Sequence, residues 1–107
     1  MPFYMVQASY SAAATAAMVK KPQDRAAAVQ PLIERMGGKL HGLWLAFGEY
    51  DVVVIAEMPG NVSAAALAMA VGSSGGMSAY RTTPLMTVAE SIKVMSKAGG
   101  VKYKAPK

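Results

Sequence analysis

Side chains able to do chemistry are few in this 107-residue chain, and most of them lie between residues 41 and 57. His41 is the only histidine. One imidazole cannot build a multi-histidine metal site within a protomer, so no metal site is expected. Its ordinary pKa lies near neutrality, which suits a proton carrier or a single axial ligand. Haem held through His41 is a minor form of that reading and requires a roomy apolar pocket beside the ring; otherwise no cofactor is expected. The plainer reading is an edge-strand histidine at the surface or at a dimer rim. Tyr50 and Asp51 put a phenol and a carboxylate side by side. At a cavity mouth that pair would serve proton transfer or hydrogen bonding to a substrate. The structural alternative has Asp51 accepting from turn amides while the Tyr50 ring packs over a hairpin. His41, Tyr50 and Asp51 are the catalytic candidates.

Candidates for ligand contact are Trp44, Tyr50, Asp51, Glu57 and Arg81. With regular strand pairing, Asp51, Val53, Ile55 and Glu57 share one face, and Trp44 shares a face with Leu40, Gly42 and Ala46. A large ring among small side chains suits a cavity wall. It suits equally a dimer interface in which Trp44 fills the space beside Gly42, and a bulge would exchange the faces. Arg81 has no acid near it in sequence, so a buried guanidinium there needs Asp51 or Glu57 as partner, or else anchors an acidic ligand. The nine methionines are scattered along several elements and read as adaptable core filler, not copper ligands. Gly72-Ser-Ser-Gly-Gly76 follows a helix instead of opening one, the wrong order for binding phosphate at a helix N-terminus.

Composition narrows the classes further. Cysteine is absent, which removes disulfides and thiolate chemistry. The net charge of +5 is local: residues 93–107 carry five lysines and no acid, while residues 1–92 balance six basic against six acidic side chains. A neutral body argues against a dedicated nucleic-acid surface. No run of apolar residues is long enough to span a membrane, and the alanine-rich start lacks the basic residues of a signal peptide, so a cytoplasmic protein is expected. Twenty residues are alanine, which suggests closely approached helices. The expected organisation is one domain over residues 1–98 and a flexible basic tail over 99–107.

These candidate residues must be positioned by strands. Residues 3–10 are rich in strand-favouring types. Ser11 is set to cap an alanine-rich helix, and Lys20-Lys21-Pro22 interrupts it. Pro22 suits the first turn of a second helix, in which Val29, Leu32, Ile33 and Met36 fall at helical spacing, Arg25 points mostly outward and Pro31 should introduce a kink. Gly37-Gly38 ends it with a left-handed cap. The runs 40–47 and 52–58 flank Gly48-Glu49-Tyr50-Asp51 as a hairpin, with positive φ available at Gly48. Val52-Val53-Val54-Ile55-Ala56 is apolar at successive positions, as in a central strand. Asn61 or Ser63 caps a helix running through Val71, Met77–Thr87 reads as a strand that Pro84 places at an edge or near a bulge, and Thr87 with Glu90 reads as a capping box for a last helix.

The order β-α-β-β-α-β plus a C-terminal helix is the ferredoxin-like arrangement of an α+β protein, a four-stranded antiparallel sheet with helices on one face. Its other face still looks apolar, and a single chain would leave it uncovered. A homodimer is therefore expected. The stretch Gly48-Glu49-Tyr50-Asp51-Val-Val-Val-Ile55, preceded by Gly37-Gly38-Lys39 and followed by Glu57-Met58-Pro59, resembles the GYD-domain family. Arg81-Thr82-Thr83 and the strand carrying Tyr4 and Tyr10 add to the resemblance, which spans roughly residues 2–96. It implies a dimeric α+β barrel with two sheets facing across a cavity, and no assigned reaction. The expected function is binding of a small, partly apolar molecule between the sheets of a homodimer. The alternatives are a cofactor-independent oxygenase or isomerase on the same scaffold, and a module that serves only assembly.

Overall fold

The computed structural model describes residues 1–107. Strand β1 (Phe3–Tyr10) is followed by helices α1 (Ala12–Lys20) and α2 (Arg25–Arg35), then β2 (Lys39–Leu45), β3 (Val52–Glu57), α3 (Asn61–Ser73), β4 (Met77–Leu85) and α4 (Val88–Gly99). The four strands form one antiparallel sheet in the order β2-β3-β1-β4. This is the ferredoxin-like order, with β1 and β3 central. Pro84 falls on an edge strand, where its missing N–H breaks no ladder.

Strand alternation divides the sheet cleanly. Tyr4, Val6 and Ala8 of β1 and Val52, Val54 and Ala56 of β3 are buried toward α1, α2 and α3. With Ile33, Met58, Ala64 and Leu67 they make the whole buried core. The register puts Phe3, Met5, Gln7, Val53, Ile55, Glu57, Arg81 and Thr83 on the opposite face. No helix of this chain covers that face, and its side chains are half-buried or exposed.

Helix boundaries follow local chemistry. The Ser11 hydroxyl accepts from Ala14 N at 3.2 Å and the Asp24 carboxylate from Ala27 N at 3.1 Å. Asp24 therefore starts α2, and Pro22 lies outside it in the link from α1. Pro31 sits on the exposed side of α2, and the helix continues through it. Gly37 closes α2 with φ of 82°, as the Gly-Gly pair requires, while Gly75 and not Gly48 is the second glycine in the left-handed region. Neither Asn61 nor Ser63 caps α3: the N-cap is Gly60, and Asn61 instead accepts a 2.7 Å hydrogen bond from the Tyr4 hydroxyl. For α4 the capping box is complete. Glu90 N donates to Thr87 Oγ1 at 3.1 Å, and Thr87 N donates to Glu90 Oε1 at 3.0 Å.

Helix α4 stands apart. It buries no residue and makes no extensive contact with any other element of the chain. Val88, Ile92 and Met95 fall on one stripe at i, i+4 and i+7, and all three are largely exposed. The radius of gyration is 17.2 Å, against about 13 Å for a fully compact chain of this length. Residues 101–107 are exposed and irregular. No helix is long and apolar enough to cross a membrane.

Candidate functional site

The candidate residues from the sequence are spread over both faces of the sheet. His41 occupies a bulge in edge strand β2, where the register slips between Leu40 and Gly42. The slip sends Leu40 toward the helices and puts Gly42 and Trp44 on the open face, so Leu40 and Trp44 do not share a side. The His41 imidazole also lies on the open face. Its Nε2 is 2.8 Å from Glu57 Oε1, and its ring stacks at a tilt on Phe3, 5.1 Å between centroids. Trp44 is 56% exposed and lays its indole directly over Gly42, where a Cβ would collide with it.

Arg81 makes no ion pair with Asp51 or Glu57; His41–Glu57 is the one acid–base contact of ion-pair length in the chain, ionic only when the imidazole is protonated. Strand order is the reason. β1 separates β4 from β3, and along β1 Arg81 lies opposite Gln7 while Glu57 lies opposite Phe3, four residues away. Asp51 is also engaged elsewhere. Its Oδ2 accepts from Tyr10 N at 3.0 Å, and its own N–H donates to Ala8 O at 2.9 Å. The carboxylate thus ties the loop before β3 to the end of β1 instead of to amides of its own turn. Tyr50 is half-buried in that loop and lines neither of the two large clefts. No three carboxylate or imidazole groups converge as a metal-binding set.

An apolar cavity lies on the other side, between the sheet and α1, α2 and α3, with a volume of about 530 Å³. Small residues border it. Ala14 and Ala17 of α1, Ala28 of α2 and Ala70 of α3 line its helix side, and Ala17, Ala28 and Ala70 are exposed, so it opens to solvent between the helices. Alanine therefore leaves a void here instead of drawing the helices tight. Apart from Gln23, Arg25, Ser74 and Gly76, every wall residue is apolar or aromatic. Arg25 is the only charged wall residue, and it also borders an adjoining open cleft that includes Phe47 and Asp51. Asp51 is thus the one residue of the sequence-based set beside this system. His41, Trp44, Glu57 and Arg81 are not part of it. The pocket that a His41-bound haem would need is on the far face of the sheet.

Two polar wall residues escape the sequence reading. Arg25 lies in the first turn of α2, turned inward with Nε buried and without an acceptor, while Nη1 donates to Gln23 Oε1 at 2.7 Å. Tyr80 carries a phenol whose pKa burial raises above its ordinary value. The available signal was the alanine content of all three helices, which implies volume left unfilled above a sheet of valines.

No curated protein and no solved structure matches the chain. The GYD domain family matches over residues 4–95, from the first buried strand residue to the middle of α4. The chain belongs to the GYD-domain family.

Proposed function

We propose that the protein is a homodimeric binder of a small, partly apolar molecule, held in each protomer between the sheet and its alanine-rich helices. The observation that carries this reading is the 530 Å³ cavity, within the range of small-molecule sites and lined almost wholly by apolar groups. Pairing is supported by two uncovered apolar surfaces on one chain: the open sheet face around Trp44, Met5 and Ile55, and the Val88–Ile92–Met95 stripe of α4. Packing these surfaces between two copies would remove both from water, and a two-fold axis uses each patch twice. The reading takes the protein to work in the cytoplasm and the basic tail to play no part in the site.

A second reading puts the ligand, or a reaction of the oxygenase or isomerase kind, between two facing sheets. The Glu57-oriented His41 favours it, because a carboxylate that fixes the imidazole tautomer leaves Nδ1 free to take a proton. Native mass spectrometry of protein from its own cells, before and after denaturing, tests the first reading. A dimer that releases a small-molecule mass on denaturing supports it, and a bare monomer refutes it. Loss of the bound mass in Ala14→Phe but not in His41→Ala assigns it to the helix side; the reverse pattern assigns it between the sheets.

A further inference from the structure

We infer that the helix-side cavity takes an amphipathic carboxylate, with its hydrocarbon body against the sheet and helices and its anionic head at Arg25. The inference rests on the cavity being a binding site, as proposed above, and adds the class of ligand.

The walls set the body of the ligand. Val6, Val54, Leu32, Leu67 and Met18 present only carbon and sulfur to the cavity, so they recognise shape and hydrophobicity and no polar pattern. The single charge sets the head. No carboxylate lines the cavity itself, and although Asp24 and Asp51 line the adjoining cleft, no acid lies within ion-pair distance of Arg25. Its Nε–H is buried without an acceptor, and a guanidinium carries only donors. That N–H is closed off by the surrounding protein, so a ligand oxygen would pair with it once the Arg25 side chain turns toward the cavity. Carboxylate fits best among such groups, because the planar guanidinium can offer it two parallel N–H bonds. Arg25 stands where the cavity meets the adjoining cleft, so a head group there stays near solvent while the chain runs inward. That arrangement leaves the charge partly hydrated and spares the cost of burying an ion. A cationic amphiphile would instead meet the guanidinium as a like charge.

The test is a titration of the full chain, followed by amide chemical shifts, with octanoate, 1-octanol and octylamine. Octanoate should bind about tenfold or more tightly than octanol, the scale of one charge-assisted hydrogen bond. Arg25→Gln should abolish that preference by weakening octanoate binding far more than octanol binding, and Ala14→Phe should weaken both by filling the wall. Equal affinity for octanoate and octanol, or octanoate binding untouched by Arg25→Gln, overturns the carboxylate assignment and leaves the cavity reading standing. Tighter binding of octylamine overturns it as well. No shift at the cavity walls with any of the three probes overturns both. Arg25 is half-exposed in the first turn of α2, so Arg25→Gln is expected to fold, and circular dichroism checks that it does.

Discussion

Replacing Gly38 with alanine would drive a methyl group into the junction between α2 and β2. The added Cβ would overlap the Glu57 carbonyl oxygen and lie 2.7 Å from the Met58 sulfur and 3.1 Å from Ile33 Cγ2. The nearest of these, a backbone carbonyl, has no room to retreat. The carbonyl belongs to the backbone of a central strand, and Met58 and Ile33 are 1% and 0% exposed. Overfilling a packed core costs about 1–3 kcal/mol, and a backbone obstacle points to the upper end, about 3 kcal/mol. Left-handed strain adds nothing, since Gly38 is not in the positive-φ region. Its neighbour behaves differently. Gly37 has φ of 82° and space limited by Pro59 Cγ at 3.2 Å, so Gly37→Ala should cost about 1–2 kcal/mol, mainly for the left-handed backbone. Gly48 has ordinary φ and nothing within 4 Å of a Cβ, so Gly48→Ala should be neutral or stabilising by about 0.4–1 kcal/mol through the unfolded chain. Urea unfolding followed by far-ultraviolet circular dichroism, at one fixed protein concentration because a dimer's stability depends on it, ranks the three. A Gly38→Ala stability within about 0.5 kcal/mol of wild type, or above that of Gly37→Ala, refutes this steric account of the junction.

Two further outcomes follow from the open face and from α4. Trp44 is the only tryptophan, so its fluorescence reports directly on the open face. Emission should shift to the blue as the chain is concentrated into dimers, and Trp44→Glu should give a monomer by light scattering; emission independent of concentration across the monomer–dimer range would count against pairing through this face. In α4, the backbone N–H of Thr87, followed by its hydroxyl, holds the Glu90 carboxyl below its ordinary pKa. The folded helix therefore favours the ionised form, so this stabilisation is complete above the unfolded pKa and is lost as pH falls through the lowered folded value. Helix content of wild type should fall in that acid range by more than that of Glu90→Gln; identical acid profiles would remove the capping box from the account of α4.

The local pattern of the chain was enough for the secondary elements and their order. Successive apolar residues at 52–56 mark β3 as central, Pro84 marks β4 as an edge, and Thr87 with Glu90 marks the start of α4, because each depends on neighbours a few residues away. The GYD-domain resemblance was legible for the same reason, in short runs around turns and strands. What only the tertiary structure decided depends on residues far apart in sequence. The bulge at His41 chose which side Trp44 occupies, and the interposed β1 kept Arg81 from Glu57. Tyr10 took the Asp51 carboxylate away from its own turn, across 41 residues of sequence. The cavity was the least legible feature. A void is made by what four elements fail to fill together, so Ala14, Ala28 and Ala70 border it only once their helices are placed over the sheet, with Arg25 at its edge.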